Sequence, residues 1–269
     1  MSDPLPRRGG LTLRALVPNA ITAAALCAGL TGIRFAITGN FDKSVLAIVL
    51  AGMLDGIDGR IARLLKAQSR FGAELDSLAD NVSFGVAPAL ILFLWSLEQL
   101  PRLGWFAALA YAVACALRLA RFNAGIDLPD EPRKTAGFLT GVPAPVGAGL
   151  VFLPLYLWMV ADSAELQDLV RDPRLVSVWL VAMAFLMISS VATFSWGKLK
   201  PRRSLRIEVI ALFGLVAAGL IAEPWWTLIG ICAVYLAMLP IGMLSYARAK
   251  RLRSAGQGGA AQAEPDAPA

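Results

Sequence analysis

DGIDGRIARLLKAQSRFGAELDSLAD, residues 55–80, sets four aspartates, Asp55, Asp58, Asp76 and Asp80, between long apolar segments. An acid at membrane depth costs roughly 2.5–3.5 kcal/mol on insertion scales and marks a functional site. Four acids this close repel one another unless positive charge lies between them. The arrangement therefore points to a divalent metal centre in a membrane enzyme.

The rest of the chain fits a membrane reading. Its 269 residues are 57% hydrophobic and 16% charged, with a mean hydropathy of +0.64. A soluble domain carries about 25% charged residues. The start, MSDPLPRRGGLTLR, is polar and basic and lacks the pattern of a cleaved signal peptide. The net charge of +6 and pI of about 9.5 come from residues flanking apolar segments. Such charges mark topology and membrane surface, so no nucleic-acid partner is expected. Cys27, Cys115 and Cys232 lie in separate apolar stretches without metal spacing and read as packing residues. The chain has no histidine, which excludes a Ser-His-Asp triad, a His-ligated zinc and a phosphohistidine intermediate. Acid–base chemistry falls to Asp, Glu, Lys, Tyr or Cys.

A membrane span needs about 20 mostly apolar residues. Eight helices are predicted, at 15–37, 44–65, 72–98, 103–123, 145–161, 175–196, 205–222 and 225–247. The expected fold class is all-α: a polytopic membrane helix bundle of about eight transmembrane helices, six forming the core and two following it. Six spans plus a re-entrant pair is the alternative. The expected divisions are an N-terminal arm at 1–14, a membrane domain at 15–196, a C-terminal loop and helical pair at 197–247, and a disordered basic and polar tail at 248–269. With eight spans, all but five of the 25 Lys and Arg fall on one side; the exceptions are Arg34, Lys43, Arg102, Arg171 and Arg174. The positive-inside rule then places both termini and the aspartates toward the cytoplasm.

Asp55 and Asp58 are three residues apart and Asp76 and Asp80 four, so each pair shares a helix face. In an antiparallel hairpin folded at Ala67, Asp58 and Asp76 are each nine residues from the turn. All four acids then converge roughly 13–20 Å along the helices from the turn. Their all-oxygen donor set selects Mg²⁺ or Mn²⁺, ions that accompany phosphate-bearing substrates. Gly52, Gly56, Gly59, Gly72 and Ala73 suit either close helix packing or a phosphate held against backbone. Arg63, Lys66 and Arg70 suit either phosphate contacts or topology. Arg60 and Arg63 are the candidate partners if the acids are only structural.

These residues resemble the signature of the CDP-alcohol phosphatidyltransferase family, D-x2-D-G-x2-A-R followed by G-x3-D-x3-D. The matching positions are Asp55, Asp58, Gly59, Ala62, Arg63, Gly72, Asp76 and Asp80, with the family's eight-residue gap between Arg63 and Gly72. The resemblance implies metal-dependent transfer of a phosphatidyl group from a CDP-lipid to an alcohol, releasing CMP. It implies that Asp55, Asp58 and Asp76 bind one Mg²⁺ or Mn²⁺, that Asp76 and Asp80 contribute to a second, and that Asp80 is also the catalytic base. Gly59, Arg63 and Ser69 would contact the nucleotide diphosphate. Pro18, Asn19 and Thr22 resemble the family's P-N-x-x-T element, which makes Asn19 and Thr22 nucleotide contacts. A homodimer is also implied.

Residues 118–149, RLARFNAGIDLPDEPRKTAGFLTGVPAPVGAG, bear on the acceptor. Arg118, Arg121 and Asn123 resemble the R-x2-R-F-N element of the membrane-embedded bacterial phosphatidylserine synthases within that family. Phe138, Gly141, Pro143 and Pro145 match a later F-x-G-x-P-x-P element. The resemblance implies CDP-diacylglycerol and L-serine as substrates, with Arg118 or Arg121 holding the serine carboxylate, in a bacterial inner membrane. Glycerol 3-phosphate, an inositol phosphate and choline are alternative acceptors, and Arg133 and Lys134 would suit a phosphorylated one. The alternative of another class is an ion-coupled transporter.

Overall fold

The computed structural model describes residues 13–124, 138–189, 192–194 and 206–240. Most of the predicted N-terminal arm, Arg133 and Lys134, nearly all of the loop after the sixth predicted helix, and the predicted tail lie outside the described residues. The chain divides into two compact units, one formed by residues 1–127 and 143–188, the other by 128–142 and 189–269.

In the first unit, α1 (Leu13–Ile37) and α2 (Phe41–Leu64) form a tight pair. Gly39 takes a left-handed φ of 75° between them, and the Asn40 and Gly39 amides donate to the Phe35 and Ala36 carbonyls at 2.9 and 3.0 Å. This is a Schellman stop, which glycine adopts without strain. Ala25, Ala28 and Ala36 of α1 and Ala47 and Ala51 of α2 are buried, and such small side chains let helices approach closely. The buried Ser44 hydroxyl, from α2, donates to the Gly32 carbonyl of α1.

A second Schellman stop ends α2. The Ala67 amide donates to Ala62 O at 2.9 Å and the Lys66 amide to Arg63 O at 3.2 Å, with Lys66 at φ 50°. The predicted turn at Ala67 is thus present. Ser69 then caps α3 (Arg70–Asp80), its Oγ accepting from the Gly72 amide at 3.0 Å. The helix does not continue regularly: residues Asn81–Val86 form a π-helical segment before α4 (Ala87–Trp95). Tyr111, fully buried on α5 (Pro101–Ala124), donates its hydroxyl to the Phe84 carbonyl at 3.1 Å inside that segment.

The predicted fifth helix is broken into α6 (Ala144–Val151) and α7 (Leu153–Val160). Pro154 has no amide to donate to Leu150, so the helix breaks at Phe152 and restarts at Leu153. A short helix absent from the prediction, α8 (Ala164–Val170), is capped by Ser163 Oγ accepting from the Leu166 amide at 3.3 Å. Arg171 then pins this end. Its Nε donates to the Trp95 carbonyl at 2.9 Å, and its guanidinium lies 6.0 and 5.8 Å from the Trp95 and Trp158 ring centres. Helix α9 (Pro173–Ile188) packs along α5 and ends eight residues before the predicted boundary.

The second unit departs from a purely helical expectation. Phe138–Thr140 (β1) and Ala192–Phe194 (β2) form an antiparallel ladder, Leu139 opposite Thr193. Two serines followed by Val-Ala-Thr-Phe account for the helix stopping early, since serine competes for backbone hydrogen bonds and β-branched and aromatic residues favour strands. The unit also contains α10 (Arg206–Ala222) and α11 (Pro224–Pro240), broken where predicted, at Glu223.

Large side chains mark two environments. Trp95, Tyr111, Tyr156, Phe84 and Phe152 are fully buried, whereas Leu103, Phe106, Val178 and Phe185 are each at least 66% exposed. Wide outward apolar faces on long helices suit lipid. Leu16–Ile37, Arg70–Trp95 and Pro101–Ala124 are long and apolar enough to cross a membrane; Ala144–Val160, Pro173–Ile188 and Pro224–Pro240 are shorter apolar helices. The protein is thus an integral membrane protein, and its described residues are helical apart from one three-residue ladder.

Candidate metal centre and nucleotide cleft

Helices α2 and α3 run back from the Ala67 turn and bring three of the four aspartates together. One carboxylate oxygen from each of Asp55, Asp76 and Asp80 lies within 4.8 Å of the others. The charged neighbours acting on Asp76 and Asp80 include the other acids. All three are half-buried. Oxygens bound to one Mg²⁺ at about 2.1 Å lie about 3–4 Å apart, so small side-chain rotations bring this trio around one hard cation. The donor set fits Mg²⁺ or Mn²⁺ and offers nothing to a softer metal.

Asp58 lies next to this trio, and its charge acts on all three. It is 4% exposed, and its Oδ2 accepts from Thr22 Oγ1 of α1 at 2.5 Å. Arg60 and Arg63, the candidate neutralising partners, are both exposed, and Arg63 Nε donates to the Gly59 carbonyl at 3.1 Å.

A cleft of about 210 Å³ opens beside the acids. Asp58 and Asp76 line it, together with Asn19, Thr22, Gly59 and Ser69. A Cβ on Gly59 would meet nothing within 4 Å, so that backbone is open to a ligand. A Cβ on Gly72 would come within 2.9 Å of Asn19 Oδ1 and 3.2 Å of Ser69 Oγ. A methyl there would push against the Asn19 amide and the Ser69 hydroxyl, two cleft side chains. Gln68 and Pro18 also line the cleft, and the sequence reading had not singled out Gln68.

The residues read as acceptor contacts are placed differently from one another. Asn123 Nδ2 donates to Ser77 Oγ at 2.9 Å, one residue from Asp76. Arg118 is half-buried on α5. Arg121 is exposed and donates from Nη1 to the Ile188 carbonyl at 3.3 Å, capping the end of α9. Of the later element, Pro143 and Pro145 flank the start of α6 and Gly141 has a left-handed φ of 76°.

Comparison with known proteins gives the same family from independent matches. Residues 15–196 match the model described as CDP-alcohol phosphatidyltransferase. Residues 204–240 match one described as CDP-alcohol phosphatidyltransferase 2. A protein of Mycobacterium bovis named CDP-diacylglycerol–serine O-phosphatidyltransferase is 36% identical over 238 residues, covering 88% of this chain and 81% of that protein. One of the same name from Mycobacterium leprae is 35% identical over 235 residues, covering 85% and 74%. Another from Helicobacter pylori is 33% identical over 201 residues, covering 75% and 81%. With the carboxylate trio on the α2–α3 hairpin inside the longer matched segment, the chain belongs to the CDP-alcohol phosphatidyltransferase family.

Proposed function

We propose that this chain transfers the phosphatidyl group of CDP-diacylglycerol to L-serine, giving phosphatidylserine and CMP. The observation that carries the chemistry is the convergence of Asp55, Asp76 and Asp80 beside an open cleft. The acceptor follows from the relatives, whose shared name specifies serine.

In this reading Asp55, Asp58 and Asp76 hold one Mg²⁺ or Mn²⁺, and Asp76 and Asp80 a second. Bound there, the metal supplies charge neutralisation for the diphosphate, which makes CMP a good leaving group. Asn19, Gly59, Arg63 and Ser69 hold the nucleotide diphosphate, the Gly59 backbone being open for close approach. Asp80 accepts the proton of the serine hydroxyl as that oxygen attacks the β-phosphorus. Serine brings a carboxylate that needs a cation. Arg118 or Arg121 supplies it, and Asn123 sets the α5 side of the site through Ser77. Positioning and electrostatics supply most of the acceleration.

The same reading includes eight spans in a bacterial inner membrane, both termini and the cleft toward the cytoplasm, and a homodimer. The charge asymmetry supports the orientation. The test is an acceptor panel. Purified protein is incubated with CDP-diacylglycerol and, separately, L-serine, glycerol 3-phosphate, an inositol phosphate or choline, with Mg²⁺ and Mn²⁺ compared and CMP followed. CMP release that depends on serine and metal is expected. Release with another alcohol and none with serine would overturn the acceptor.

A further inference from the structure

Thr22 sits in α1, yet its hydroxyl is engaged with α2 before any ligand arrives. Oγ1 lies 3.1 Å from the Pro18 carbonyl one turn back and 2.5 Å from Asp58 Oδ2, thirty-six residues away. One hydroxyl carries one proton, so the two acceptors compete for it, and the shorter, charge-assisted contact to Asp58 takes it. Thr22 is 5% exposed and Asp58 4%. Asp58 exposes the least surface of the four acids and adjoins the Asp55–Asp76–Asp80 trio. Asp58 lines the cleft that Asp76 also lines. A carboxylate on a helix would otherwise sample several rotamers. A β-branched partner with a stiff χ1, buried at this contact, holds Asp58 in one of them.

We infer that Thr22 is a positioning residue for the metal centre. Its hydroxyl fixes one oxygen of Asp58 so that the other is presented toward the cleft as a ligand. This role differs from the nucleotide contact that family resemblance implies for Thr22, because the hydroxyl is buried and its one proton is directed to Asp58. The inference rests on the metal-dependent reading above. It joins α1 to the metal centre, which would otherwise be built from α2 and α3 alone.

The experiment uses full-length protein in detergent and titrates Mn²⁺ without substrate, following free Mn²⁺ by electron paramagnetic resonance. Thr22→Val keeps the shape and removes the hydroxyl; Thr22→Ser keeps the hydroxyl and removes the methyl. Thr22→Ala, read alongside, covers a failure of the valine variant to fold. Thr22→Val and Thr22→Ala are expected to weaken Mn²⁺ binding about 10-fold or more, the usual cost of losing a residue that orients a ligand. Thr22→Ser is expected to retain wild-type affinity. In the CMP assay, saturating Mn²⁺ should then return the KM for CDP-diacylglycerol of Thr22→Val to the wild-type value. Unchanged Mn²⁺ affinity in Thr22→Val, equal loss in Thr22→Ser, or a KM still raised at saturating Mn²⁺ would overturn the inference. If wild type binds Mn²⁺ but releases no CMP with any alcohol, the proposed function fails while the titration still decides the role of Thr22.

Discussion

Asp80 ends α3 where the helix opens into its π-helical segment, close to Asp55 and Asp76. As the proposed base it has a specific consequence. Asp80→Asn should lower kcat by about 10²–10⁴-fold, the range for loss of a general base. Its thermal midpoint should hold or rise, because an amide removes one of several mutually repelling charges. Full CMP release by that variant would remove Asp80 from the chemistry. Helical spacing alone predicted that all four acids would converge; Asp55, Asp76 and Asp80 meet most tightly, and the charge of Asp58 acts on all three. It did not separate Asp58 from Asp55, although three residues on a helix are offset by about 60° around its axis. That offset is enough for Asp55 to face α3 while Asp58 meets Thr22 on α1. No periodicity within one helix reveals a partner on another, so the Thr22–Asp58 contact was not legible in the sequence.

Among the elements, the π-helical segment at Asn81–Val86 is the feature most closely tied to the site. A π turn leaves backbone groups outside the regular ladder and is frequent at functional sites. Here the Phe84 carbonyl is served by the Tyr111 hydroxyl, and both side chains are almost fully buried. Tyr111→Phe would leave that carbonyl without its side-chain donor, at a cost of about 1–3 kcal/mol. A lower thermal midpoint in detergent is expected, together with a fall in kcat, since Asp80 adjoins the segment. A variant with wild-type melting and turnover would show that the segment stands without Tyr111. The sequence shows a helix over this region but not its widening, because the apolar pattern across the junction is continuous. The break at Phe152 was readable in principle from Pro154, and the cap at Ser163 from a serine two residues before a glutamate.

At the scale of the whole molecule, hydropathy located every long helix but gives only part of the span count. Helix α2 shows why: its 24 residues include Asp42, Lys43, Asp55, Asp58, Arg60 and Arg63, so it fails a test of apolar composition while carrying half of the candidate site. Its polar residues face α1, α3 and the cleft, or lie toward the helix ends. A helix with its charges held in these places can sit in a membrane without presenting them to lipid at mid-depth. With α2, α10 and the three shorter apolar helices counted beside the three long ones, the total would be eight, the even number that the proposed topology with both chain ends on the Lys- and Arg-rich side needs. The arrangement predicts the behaviour of reporters in a bacterial host. A fluorescent protein fused after Ala269 should fold and fluoresce, and alkaline phosphatase fused there should be inactive because it never reaches the oxidising side. Alkaline phosphatase inserted at Asp162, between α7 and α8, should be active. An active phosphatase at the C-terminus would make the number of spans after Asp162 even rather than odd. That outcome would leave the α2–α3 site intact while ending the eight-span topology.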